Sequence, residues 1–224
     1  MRKLFLSFIF ISLLSLNAVA KIGLAPEIGL NISNLSFTNI NFSNASDVNS
    51  YVKEGIRLGL NFDKKINEDF SWQAGAFFSQ LGGRMNANVV FVGPVMVPIN
   101  LYYAQVPITL MYRKKLGPGN MQFAAGIYVA YALAMSAKPA DTGFHPENLQ
   151  IGSDSKSFIQ SLDYGLHASA GYELPMGLFA KFNYDLGLAN IAAQSDATIR
   201  NRAFYFSVGW FYRSTTVKVQ NKAY

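Results

Sequence analysis

Apolar and polar positions alternate one for one along eight stretches of the chain. In LFAKFNYDLGLAN (178–190), Leu178, Ala180, Phe182, Tyr184, Leu186 and Leu188 share one face, and Lys181, Asn183 and Asp185 share the other. A strand turns successive side chains to opposite sides, so this segment has one wholly apolar face and one polar face. The same pattern recurs at 22–33, 56–63, 71–79, 102–113, 122–133, 162–173 and 204–212. Each run is about nine to twelve residues, the length at which a tilted strand crosses hydrocarbon.

The connections sort by parity. After the second, fourth and sixth runs they are short and built of turn formers: Ile66–Asp69, Leu116–Asn120 (LGPGN) and Pro175–Gly177. After the first, third, fifth and seventh they are long: Asn34–Lys53, Met85–Asn100, Ala137–Ser161 and Asn190–Asn201. A soluble sandwich has no reason to sort its loops this way, whereas an outer-membrane barrel has short periplasmic turns and longer external loops. The pattern therefore predicts an all-β fold, an eight-stranded antiparallel transmembrane β-barrel. It is an up-and-down meander with N and C termini periplasmic.

Aromatic spacing supplies a length check. Tyr102 and Tyr112 are ten residues apart on one face, roughly 25 Å along the membrane normal at a tilt near 40°. That is the height of the apolar band between two aromatic girdles. Tyr164 and Tyr172, and Phe204 and Tyr212, repeat the arrangement, and Trp72 and Trp210 complete the expected interface set.

The ends and the composition narrow the class further. Arg2 and Lys3, the apolar run Leu4–Leu16 and the small-x-small Ala18-Val19-Ala20 read as a cleaved signal peptide, residues 1–20. This leaves a barrel domain at 21–213 and a periplasmic tail at 214–224. Loss of Arg2 and Lys3 lowers the formal charge from +6 to +4. With no run of basic residues to follow a phosphate backbone, nucleic acid is not an expected partner. Cysteine is absent, which removes disulfides and thiolate metal sites.

The inward set is predicted to be Glu27, Arg57, Asn61, Asp63, Gln105, Arg113, Asp163, His167, Glu173, Lys181, Asn183 and Asp185, with Phe77, Tyr103, Tyr128, Phe179 and Tyr205. Eight strands enclose only enough room for side chains, so these residues are expected to plug the interior through hydrogen bonds and ion pairs. Counting from the 175–177 turn sets Asp185 beside His167, and shared parity on adjacent strands suggests Glu27 beside Arg57. A histidine next to a carboxylate can act as a general base, but no suitably placed nucleophile accompanies it. The structural reading is therefore preferred, with no catalytic residue, metal or cofactor expected. Among the long connections, MNANVVFVGPVMVPIN (85–100) is apolar enough either to extend the wall above the membrane or to form a contact patch. The 137–161 connection carries Asp141, His145 and Glu147, a weak metal candidate, with Ser153 and Ser155 as the nearest nucleophiles to His145.

With these patterns in place, the chain resembles the PorT-like outer-membrane β-barrel family. The resemblance rests on YYAQVPITLMYRKKL (102–116), FAAGIYVAYAL (123–133), DYGLHASAGYEL (163–174) and YFSVGWFY (205–212). It implies the outer membrane of a Gram-negative bacterium. Its implied partners are membrane lipid and lipopolysaccharide, the barrel-assembly machinery and envelope or secretion proteins met through external loops. Some members are associated with type IX secretion. Barrels of this sort usually end on an aromatic; Tyr212 fits, yet a polar tail closing on Tyr224 follows. The expected function is a non-enzymatic anchoring, docking or secretion-accessory barrel. The alternatives are a narrow solute channel and a lipid-modifying enzyme at the outer rim.

Overall fold

The computed structural model describes residues 22–38, 45–89, 93–137, 150–152, 157–193 and 197–212. The predicted signal peptide and tail lie outside these residues, as do Asp141, His145, Glu147, Ser153 and Ser155. The strands are β1 (Ile22–Thr38), β2 (Ala45–Tyr51), β3 (Lys53–Lys65), β4 (Phe70–Val89), β5 (Gly93–Leu116), β6 (Gly119–Ala137), β7 (Gln150–Ile151), β8 (Ser157–Ile159), β9 (Leu162–Glu173), β10 (Leu178–Gly187) and β11 (Thr198–Trp210).

Nine of them form one sheet in the order β2-β4-β3-β1-β11-β10-β9-β6-β5, and β4 also pairs β5. Every pairing in it is antiparallel, and every strand except β2 has a partner on both sides. First and last strands meet, with Glu27 opposite Gly209 and Thr38 opposite Thr198. Only Val52 separates β2 from β3, and both pair β4 in nearly continuous register, Tyr51 with Arg84 and Arg57 with Ser79. Together they act as one long strand with a break. The short β7 and β8 form a separate parallel pair.

Burial is inverted relative to a water-soluble sheet. Leu30 is 67% exposed and Phe182 is 70% exposed, while Lys181 is 3% and Asp163 is 0%. All seven expected interface aromatics face outward: Trp72, Tyr112, Tyr172, Trp210 and Tyr212 toward the short-turn end, and Tyr102 and Tyr164 toward the other. Their rings find partners, Phe70 with Tyr112 at 5.1 Å and Phe78 with Tyr102 at 6.0 Å between centroids. The Tyr172 hydroxyl fastens a turn, accepting from the Gly119 N–H at 2.9 Å and donating to the Leu116 carbonyl at 2.7 Å.

Local chemistry explains the short turns. Gly117 takes φ 61° and Gly177 takes φ 90°, values a side chain resists. At 66–69, Asn67 Oδ1 accepts from the backbone N–H of Asp69 at 3.0 Å and of Phe70 at 2.7 Å. Inside, large rings lie over bare backbone. A Cβ on Gly59 or Gly75 would sit 2.6 or 2.3 Å from the Phe77 ring, so both positions must stay small for that ring to lie flat.

All four expected loops prove to be partly strand, the 137–161 connection holding β7 and β8. β1 runs on to Thr38, β2 fills 45–51, β11 begins at Thr198, and β4 and β5 stay paired out to Val89 opposite Gly93. The described parts of the 85–100 segment, 85–89 and 93–100, thus extend the wall. The reason is that backbone pairing continues past the apolar band, while the outward positions there become Asn34, Ser36, Arg84, Arg200 and Arg202. The alternation of grease and polarity ends before the ladder does.

Candidate functional site

All twelve predicted inward residues are buried. Three cations organise the half of the interior nearest the short turns. Arg113, supplied by the end of β5, reaches Asp63 Oδ1 at 2.8 Å and Glu173 Oε2 at 3.6 Å, and donates to Ser71 Oγ at 2.5 Å. Ser71 in turn donates to Asp63 at 2.8 Å. Lys181 Nζ lies 2.8 Å from Glu27, which also accepts from Asn61 Nδ2 at 2.7 Å. Arg57 lies 3.6 Å from Asp185, with its guanidinium stacked on Phe77 at 3.9 Å and on Tyr205 at 4.8 Å. Buried ions of this kind persist only when paired and hydrogen-bonded.

Asp185 is the most heavily used acceptor. Register sets it directly opposite His167, whose Nδ1 is 2.5 Å away, and Gln105 Nε2 donates to its other oxygen at 2.6 Å. The expected Asp185–His167 pair is therefore brought together. The expected Glu27–Arg57 pair makes no direct ion pair: the ladder puts Glu27 opposite Gly59 and Arg57 opposite Gly29, so the two are diagonal neighbours lining one cavity. Their long side chains instead reach across the interior to Lys181 and Asp185 on β10. Farther along, Asp163 accepts from Asn201 Nδ2 at 2.7 Å, and Asn201 also approaches the Tyr103 hydroxyl at 3.2 Å.

Asn201 was not among the expected inward residues, because 190–201 read as a loop; its position between the exposed Arg200 and Arg202 was the available signal. Ser71, Ser79 and Gln122 share the same inward parity, and their bonds to Asp63, Gln105 and Glu173 complete the network.

Beyond Asp163 the filling changes character. Leu35, Leu81, Ile99, Leu101, Ile159, Ile191 and Ile199 are all 3% exposed or less and form one cluster with Tyr103, Tyr128 and Tyr205. Ile159 and Ile191 come from connections that fold back inward. They are held there by Gln160 N–H to the Ile191 carbonyl at 2.7 Å and Ile191 N–H to the Ile199 carbonyl at 2.9 Å. Asn190 Oδ1 steadies the same turn, accepting from the N–H of Ala192 at 3.1 Å and of Ile199 at 2.9 Å.

Within the ion-paired filling a cavity bordered by Arg57, Gln73, His167 and Lys181 leaves about 10 Å³ for the centre of a water-sized sphere, room for about one water molecule. Arg57 Nε and Gln73 Nε2 border it without a protein acceptor, so a water accepting from both suits it.

An apolar exterior belted by aromatics around a polar, side-chain-filled interior has counterparts among known proteins. The family model for the outer membrane protein β-barrel domain matches residues 17–193. The chain belongs to that family. The outer membrane of a Gram-negative bacterium is accordingly its location. Among solved structures, the outer membrane protein OprG from Pseudomonas aeruginosa is similar, with TM-score 0.52 at 10% identity over 86% of this chain and 96% of that one. Neisserial surface protein A (NspA) gives TM-score 0.45 at 10% identity, over 84% of this chain and 97% of that one. Ail, the attachment invasion locus protein of Yersinia pestis, gives 0.40 at 12%, over 86% and 99%. At such identities the likeness to OprG is one of fold. No curated protein matches the chain.

Proposed function

We propose that the chain is a closed, eight-stranded, non-enzymatic and non-conducting barrel of the PorT-like kind, with both termini periplasmic. It acts by presenting its long connections to another envelope component as an anchoring, docking or secretion-accessory protein. The observation that carries this reading is the interior filled in two successive layers, ion pairs around Arg113, Lys181 and Arg57 and then the aliphatic cluster around Leu101 and Ile191. The cavity beside Arg57 and Lys181 has room for about one water, which supports a lumen too full to carry ions. What remains to do work is the outside: β4 and β5 stay paired past Gly82 and Asn100 to Val89 and Gly93, with β2 beside β4. This makes a sheet that stands beyond the aromatic belt.

Planar-bilayer recording of the purified protein tests the first half of the reading. No resolved current steps are expected, and stable steps would overturn it in favour of the narrow channel. Orientation is tested in a chain that naturally lacks cysteine. A membrane-impermeant maleimide applied to intact cells is expected to label Met96→Cys and spare Lys115→Cys; the opposite pattern overturns the orientation. Crosslinking in the native envelope followed by mass spectrometry then identifies the docking partner.

A further inference from the structure

Two consecutive outward positions on β11 carry arginine where the neighbouring rows carry grease. Arg200 and Arg202 are both exposed, and directly below them on the same face lie Phe204 and Phe206. The Phe204 ring packs on Tyr184 at 4.4 Å between centroids, so Arg202 stands one residue pair above an aromatic girdle. At the rise and tilt of a barrel strand that is roughly 5 Å along the membrane normal, the depth of a lipid headgroup.

No carboxylate among the described residues pairs with either arginine. Their neighbours across the ladder are Asn34 and Ser36 on β1 and Leu186 on β10. Two like charges on one face of one strand repel each other, and an anion placed between them relieves that repulsion. Three strands along, on β4, Arg84 carries a further guanidinium, shared with Glu54 at 2.7 Å. The short-turn end differs: its outward charges are lysines, with Glu68 and Asp69 beside them in the turn. Arginine is the residue whose planar fork matches a phosphate in two bonds.

From this we infer that Arg200 and Arg202, with Asn34 and Ser36 as flanking hydrogen-bonding groups, form a binding site for the phosphate of a glycolipid in the outer leaflet. The inference rests on the proposed outward orientation of the long connections. The lipid source is favoured because the same strand face supplies both halves of such a ligand's chemistry. Guanidinium groups meet the phosphate, and Phe204, Phe206 and Tyr184 lie where its acyl chains run.

The test measures affinity of the full chain in non-ionic detergent for bisphosphorylated lipid A, for the same lipid with its phosphates removed, and for inorganic phosphate. The natural protein is expected to prefer the phosphorylated lipid at least roughly tenfold, as two charge-assisted bonds imply. Arg200→Gln with Arg202→Gln is expected to abolish the preference, the paired lysine variant to keep part of it, and Lys64→Gln with Lys114→Gln to leave it intact. Equal affinity of the natural protein for both lipids overturns the site, even if the glutamine variant fails to fold. So does full retention of the preference in that variant, or its loss in the lysine-to-glutamine control. Competition by inorganic phosphate at concentrations equal to the lipid reassigns the site to a free anion and overturns the lipid assignment. Because affinity is read in detergent, its failure is distinct from failure of the orientation, which the cysteine labelling reads in cells.

Discussion

Near the short turns the interior is held by ions, each with a specific partner: Arg113 with Asp63 and Glu173, Lys181 with Glu27, Arg57 with Asp185. Near the long connections it is held by Leu35, Leu81, Ile99, Leu101, Ile159, Ile191 and Ile199, which ask only for volume and shape. The two fillings do the same mechanical task and respond differently to change. Removing one partner from a buried ion network strands the other charge, whereas trimming an aliphatic group leaves a cavity that its neighbours can partly close. The ionic half therefore fixes which strands meet and in what register, and the aliphatic half lets two connections be tucked in without a unique fit.

The comparison is most easily broken at Asp185. Asp185→Ala leaves Arg57, His167 and Gln105 without their common acceptor and is expected to cost about 3–5 kcal/mol, read as a lower urea midpoint for the heat-sensitive gel shift of the folded barrel. A loss below about 1 kcal/mol would remove the ionic half as a determinant of stability.

In the aliphatic half, Leu101→Ala is expected to cost about 2–4 kcal/mol and Leu101→Met less than about 1.5, by the same urea titration. If Met were as damaging as Ala, that half would be as specific as the ionic one and the contrast would fail. Outside both fillings, Tyr172→Phe removes the hydroxyl between Gly119 and Leu116; a loss of about 0.5–1.5 kcal/mol is expected. The smallest effect is on conductance. Ile159→Ala with Ile191→Ala loosens one filling only, so bilayer recordings are expected to stay silent. Current from that variant would mean that the ion-paired half does not close the path.

How far the sequence could be read depended on what lay outside each strand. Where the outward positions meet lipid, as at Leu178 to Leu188, alternation is legible and the inward parity of Lys181, Asn183 and Asp185 follows from it. Counting from a tight turn was enough to set Asp185 by His167 because that register contains no bulge. Parity alone set Glu27 near Arg57 but did not reveal the direct ion partner of either, since the partners of long side chains lie across the interior and not along the ladder. The aliphatic filling was illegible for a third reason. Leu35, Leu81, Ile99 and Ile199 sit near or beyond the edge of the apolar band, and Ile159 and Ile191 reach inward from connections, so no periodic pattern announces them.

The paired ends of β4 and β5 carry a consequence for whatever meets this protein. From Tyr102 to Gly93 is nine residues of strand, roughly 23 Å of height at barrel tilt. In the orientation proposed above, paired strand ends that far from the girdle reach beyond the lipid headgroups. Pro94 and Pro98 lie on β5 opposite Asn88 and Arg84 of β4, and among the described residues the pairing of β5 with β6 begins at Ile99 opposite Ala137. Lacking an N–H, each proline withholds one backbone donor from the ladder along this stretch. For the docking proposed above, the exposed Met96 is the side chain this stretch offers.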